Sequence, residues 1–225
     1  RLQADDEVLL TDHEYGAVQR IWRRQVESFA GASLSVAKLP LPFESAEQVV
    51  EAIFAVATSR TRLLVVSHIT SPTAVTLPVE PIVAEAKRRE ILVGIDGPHA
   101  IAQLPLELDR LGCDFYCASC HKWLSASFGS GFLYVAPQHD ALIRTPQLSW
   151  GRLPPAPLDV WSDEFVWSGT RDPSAYFAVP AAIDFLEQVG LDRFRRHTHA
   201  LARYARQQLV ELTGLTPIVP DSPDW

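Results

Sequence analysis

Leu63-Leu64-Val65-Val66 is an unbroken apolar run of a strand's length, the pattern of a β-strand buried on both faces. Such a strand needs cover on each side, and the flanking sequence alternates accordingly. Residues 8–11 form a short apolar run, after which Val18, Ile21, Trp22, Val26 and Phe29 recur at helical spacing until Gly31. Leu34, Val36 and Leu39 predict a second extended segment. A helix is expected from Ser45, with Gln48 three residues on as a capping box, through Val49, Ile53 and Val56. Residues 79–89 predict another helix, its basic residues late, where they suit the negative end of the dipole. Strands follow at 91–95 and 115–118, and one more at 131–135, antiparallel because only a short loop precedes it. The proline-rich stretch 146–157 predicts an irregular surface excursion. Helices at 174–189 and 191–212 close the chain. Alternation of this kind implies an α/β domain with a mostly parallel sheet and helices on both faces.

Composition narrows the function. With 47% hydrophobic and 21% charged residues, the 225-residue chain suits one sizeable globular core. The longest apolar stretches fall far short of the ~20 residues that a membrane-crossing helix needs, so no membrane association is expected. A net charge of -7 without a basic stripe argues against nucleic acid, which leaves a small-molecule ligand. No secretory pattern opens the chain, and three cysteines cannot all pair internally, which fits a reducing cytoplasm. The chain has no Met, so Arg1 is not expected to be the natural start, and a structured segment is expected before it.

In open parallel sheets, ligands bind beyond the carboxyl ends of the strands. Reading off the residues there gives His13, Ser71, Asp96, His99, Ser119, His121 and Lys122 on one rim. Singly each has a plain structural reading: Asp96-Gly97 is a common turn dipeptide, Lys122 a loop lysine, His13 a surface or core histidine. Together, a carboxylate after one strand and a lysine after a later one form the pair that pyridoxal phosphate requires, the lysine for its aldehyde and the acid for its pyridinium nitrogen.

Five motifs in order then carry a resemblance: Thr11-Asp12-His13-Glu14-Tyr15-Gly16-Ala17, Ser67-His68-Ile69-Thr70-Ser71, Asp96-Gly97-Pro98-His99-Ala100, Ser119-Cys120-His121-Lys122 and Gly169-Thr170. With them the chain resembles the class V aminotransferase family of pyridoxal-phosphate enzymes, especially its isopenicillin N epimerase-like branch. The resemblance implies the large domain of such an enzyme over 1–190, lacking its N-terminal part, and the beginning of a small C-terminal domain over 191–225. It implies a Schiff base on Lys122, His13 stacked on the cofactor ring, Asp96 on the pyridinium nitrogen, and His99 and Ser71 by the phenolic oxygen. Ser119 and His121 would bind the phosphate, and Thr170 would reach the phosphate of a second subunit, hence a homodimer. Related cysteine desulfurases usually have Gln where His99 stands and Asn where Ser71 stands. The expected activity is chemistry at the Cα of an amino acid, epimerisation first, with desulfuration or C–S cleavage as the alternative within the family.

Two readings of other classes compete. Cys117-Ala118-Ser119-Cys120-His121 matches the C-x-x-C-H pattern of c-type haem attachment, but the chain has no Met to serve as the usual second ligand, and no metal site is expected. The cysteines at 113, 117 and 120 are read instead as small buried apolar residues. A truncated, non-catalytic binding module is the other.

Overall fold

The computed structural model describes residues 2–147, 161–165 and 168–222. From residue 148 on, the proline-rich excursion lies outside the described residues up to the short 3-10 turn Trp161–Phe165. Six strands form one sheet: β1 (Glu7–Thr11), β2 (Ser33–Ala37), β3 (Thr61–Ser67), β4 (Leu92–Asp96), β5 (Phe115–Ser119) and β6 (Gly131–Val135). Their order is β2-β1-β3-β4-β5-β6, all parallel except β6, which runs antiparallel to β5.

The connecting helices are α1 (Gly16–Val26), α2 (Ala46–Phe54), α3 (Val79–Arg88) and a single turn, α4 (Leu108–Leu111). Ser45 caps α2 by accepting the Gln48 backbone N–H at 3.3 Å, as the sequence predicts. The Gln48 side chain, however, donates to Glu44 at 3.0 Å, so only half of the capping box forms. The helix stops at Phe54, and Val56 falls in the turn beyond it.

Strand alternation divides the core into two clusters. Leu9, Leu64, Val66, Val93, Ile95 and Tyr116 pack with α2 and α3 on one face. Val8, Leu10 and Val65 pack with Val18, Trp22 and Val26 of α1 on the other. Each large side chain buried this way stabilises the fold by about 1.5–3 kcal/mol. The α1 face closes only over β1 to β3. Toward β5 and β6 it opens, leaving Cys117 and Leu133 exposed, so the expectation of buried cysteines holds for Cys113 and Cys120 but not for Cys117.

Beyond the sheet, α5 (Ser174–Val189) buries Ala182 and Leu186, while α6 (Leu191–Thr213) buries no residue. Arg195 of α6 donates to the carbonyls of Ala102 and Leu104 at 3.0 and 2.9 Å. The tail returns to the sheet domain, where the Ile218 carbonyl accepts the Phe43 N–H at 2.8 Å and Val219 packs on the larger cluster. No described helix is long and apolar enough to cross a membrane.

Candidate active site

Because β1, β3, β4 and β5 are parallel, their carboxyl ends share one rim. Ser67, Asp96 and Cys117 are register partners on β3, β4 and β5, so their side chains form a row on the α1 face. The ladder runs on past them, with His68 N–H donating to the Asp96 carbonyl and Gly97 N–H to the Cys117 carbonyl, each at 2.9 Å. Gly97 is needed at that point, because a Cβ would collide with the Tyr116 ring.

Asp96 is partly buried. Burial lifts its carboxyl above the usual range, while the charge of Lys122 and the Cys117 thiol, whose sulfur lies 3.9 Å away, pull it back. Lys122 stands in the loop after β5, which is folded onto itself by backbone bonds from Cys120 to Ser130 and from Ala126 to Cys120, both 3.0 Å. Its Nζ lies 3.0 Å from His99 Nε2, and among the described residues no carboxylate is ion-paired with it. The Trp123 indole N–H can only donate, and it points at His99 Nδ1 from 3.4 Å. A lysine ammonium likewise only donates, so Nε2, at the shorter distance of 3.0 Å, is the acceptor for Lys122. Burial and the Lys122 charge both hold the His99 imidazole below its ordinary pKa.

The other predicted residues are distributed as follows. His13 is 6% exposed, its Nδ1 2.8 Å from Asp12 and its ring edge-on to Phe43 at 5.6 Å. The aromatic ring that faces Lys122 Nζ, at 6.0 Å, is that of Tyr15, which is 53% exposed. Ser119 ends β5, and His121 packs its ring on Phe128 at 4.7 Å. Ser71 and Thr170 are exposed, in the turn after β3 and in the bend before α5. The hydroxyls of Ser71 and Ser119 make no side-chain hydrogen bond among the described residues. Asp96, His99 and Lys122 are thus drawn together directly. His121 and Ser119 share the Lys122 loop, whereas among the described residues Ser71 and Thr170 make no hydrogen bond to the cluster.

Three residues of the quoted motifs, Tyr15, Glu14 and His68, and Trp123 next to Lys122 receive no role of their own from the sequence. Glu14 is 3% exposed and accepts from Thr11 Oγ1 at 2.7 Å and Ser67 Oγ at 2.6 Å. Burial, with the Asp96 charge adding to it, pushes its pKa up to about 7. His68 is buried with Nδ1 3.0 Å from the Tyr116 hydroxyl, and burial lowers its pKa to about 4. A cavity of about 730 Å³ lies on the opposite face, between α2, α3 and residues 104–111. None of the predicted rim residues lines it: Lys122, Asp96 and His99 lie elsewhere. The haem pattern lacks the matching geometry: Cys117 is exposed beside Asp96, while Cys120 is buried and not presented to an external ligand.

Fold and rim together define an open α/β domain with an amine, an imidazole and a carboxylate converging at the carboxyl edge of a parallel sheet. The chain belongs to the class V aminotransferase family, whose model matches residues 1–224. It is 38% identical to isopenicillin N epimerase of Amycolatopsis lactamdurans over 99% of the chain and 58% of that protein. It is 31% identical to a putative L-cysteine desulfhydrase of Oryza sativa subsp. japonica, over 95% of the chain and 45% of that protein. A solved C-DES mutant with glycine covalently linked to its PLP cofactor superposes with a TM-score of 0.82 at 22% identity, covering 94% of this chain and 57% of that one. The chain therefore spans about half the length of the curated relatives it matches.

Proposed function

We propose that the full-length protein is a pyridoxal 5'-phosphate enzyme that acts at the Cα of an amino-acid substrate, an epimerase of the isopenicillin N type. The observation that carries this reading is the Lys122 amine, 3.0 Å from His99 and without a carboxylate ion-paired to it among the described residues, in the field of a partly buried Asp96. This donor set fits the cofactor. An amine free of an acid partner suits an aldehyde, and a carboxylate fixed at a strand end suits a pyridine nitrogen.

When bound, the cofactor supplies an electron sink for the electrons left at Cα when a bond there breaks. Lys122 would hold the aldehyde and, once released, move a proton at Cα. Asp96 would keep a proton on the ring nitrogen. His99, oriented by Trp123, and Ser71 would serve the phenolic oxygen. His13, pinned by Asp12 and Phe43, would stack on the cofactor ring, and Tyr15, whose ring faces Lys122, would cover it from the same loop. Ser119 and His121 would bind the phosphate, joined by Thr170 of a second copy in a homodimer. The exposure of Thr170 in the bend before α5 supports that role. Three unpaired thiols fit a reducing compartment such as the cytoplasm. Residues from 191 on would begin the second domain.

The likeness to the desulfhydrase supports C–S bond cleavage as the second reading. Borohydride reduction of the full-length protein followed by peptide mapping tests the main claim: the cofactor is expected on the peptide that contains Lys122, and a label on another lysine overturns it. Deuterium exchange at the substrate Cα without sulfide release is the result expected of the epimerase, and sulfide release that of the second reading.

A further inference from the structure

Glu14 is a buried carboxylic residue with no cation within ion-pair distance among the described residues, an arrangement that is costly unless it is neutral or well bonded. Its bonding is unusual for its reach. One oxygen takes the hydroxyl of Thr11, at the end of β1, and the other that of Ser67, at the end of β3, 53 residues away. Both partners are hydroxyls, which can donate to a carboxylate or accept from a carboxylic acid, so the same contacts suit either charge state. Thr11 Oγ1 also takes the His13 backbone N–H at 3.2 Å, and Gln19 of α1 donates to the Glu14 carbonyl at 3.2 Å. The 12–15 loop is therefore tied at its centre to β3. Ser67 is in turn the register partner of Asp96.

We propose that Glu14 is a positioning residue of the site: it clamps the loop carrying His13 and Tyr15 to the strand beside Asp96 and, buried with no cation within ion-pair distance among the described residues, exchanges its proton next to that carboxylate. This rests on the reading of Asp96 as the partner of the cofactor nitrogen. From the elements packed against Glu14, β1 and β3 present the neutral hydroxyls of Thr11 and Ser67, α1 the amide of Gln19, and β4 the carboxyl of Asp96, whose own charge is opposed by Lys122. Asp96 is the charged group Glu14 feels. Ionisation of Glu14 would therefore put a second negative charge in the row, raise the proton affinity of Asp96 and change the field at a cationic ring nitrogen held there.

Glu14 has an ordinary pKa of 4.5 when unfolded and about 7 in the fold. The folded protein thus binds the extra proton between those values, and stability falls as pH rises through that window and levels off above it. Glu14→Gln keeps the size and the hydrogen bonds but cannot ionise. In full-length protein without cofactor, the difference in melting temperature between this variant and the wild type should drift in the variant's favour from pH 5 to pH 8. In protein with cofactor bound, the visible absorbance should show an inflection near pH 7 that Glu14→Gln removes; a residue that merely fills space would leave it in place. Parallel melting curves and a persistent inflection overturn the proposal. Borohydride labelling of Lys122 in both proteins separates the outcomes: with the label present, a negative result condemns Glu14 alone, and with the label absent, the cofactor reading fails while the cofactor-free melting comparison still tests the buried proton of Glu14.

Discussion

The two faces of the central sheet are made by alternate residues of the same strands, yet they differ in kind. On the α2/α3 face, Leu64 and Val66 of β3, Val93 and Ile95 of β4 and Tyr116 of β5 are buried almost to the strand ends. On the α1 face, Val65 gives way to Ser67, Gly94 to Asp96 and Phe115 to Cys117. The first face holds the strands in place, and the second presents polar groups at the positions so fixed. A strand can serve both ends because its side chains alternate, and the register that aligns Ser67, Asp96 and Cys117 is set by the apolar residues between them.

If this division is right, substitutions on the two faces should separate stability from activity. Leu64→Ala removes a fully buried side chain from the centre of the larger cluster, and is expected to cost about 2–5 kcal/mol, since the surrounding elements relax only partly around the cavity. Denaturant unfolding of the full-length protein measures this. A loss below about 1 kcal/mol would show that this face does not carry the fold.

Asp96→Asn, two strand positions beyond Gly94 on the other face, should do the reverse. The wild-type carboxyl has its pKa raised from 3.8, so it binds a proton more readily folded than unfolded and weakens the fold as pH rises above that value. Removing the charge should leave the melting temperature at neutral pH unchanged or slightly higher, while turnover falls on the order of 10²-fold, the scale of losing one pre-placed group at a reacting centre. Normal turnover would remove Asp96 from the site, and a large fall in melting temperature would erase the distinction between the faces.

How far the sequence shows this division depends on how local each signal is. The strands are legible because runs such as Leu63 to Val66 bear their own pattern, and Asp96, His99 and Lys122 because each lies within a few residues of the end of such a run. Glu14 is not legible, since what makes it unusual is a hydroxyl 53 residues away, on a strand that pairs with β1 only in the fold. Tyr15 and His13 show a second limit. Both follow β1, but no periodicity sets the direction of a turn's side chains, and the structure turns His13 onto Phe43 and Tyr15 toward Lys122. The exposure of Cys117 escapes the sequence for a third reason: its strand is apolar throughout, and only the limited reach of α1 leaves that face open.

The smallest expected effect lies at the boundary between the two faces. Cys117→Ser exchanges an exposed side chain in the polar row for a smaller one that still donates a hydrogen bond. The thiol's contact with Asp96, at 3.9 Å, is a weak one; although the residue as a whole is exposed, desolvation of the sulfur among its neighbours, with the Asp96 charge, pushes the pKa of Cys117 up to about 11, so it holds no thiolate that the variant would lose at neutral pH. Stability should therefore change by less than about 0.5 kcal/mol. The Ser hydroxyl is the better donor, so what shift there is should favour the charged form of Asp96 and move its titration downward. The same variant separates the two chemical readings of the Cys117 to His121 segment. A haem held through a thioether at Cys117 would be lost or loosened, and with it a red colour that survives denaturation, whereas a cofactor held by Lys122 would keep its yellow absorbance. Loss of the yellow colour in Cys117→Ser would mean that the row touches the cofactor through the sulfur itself, and that Asp96 does not act there alone.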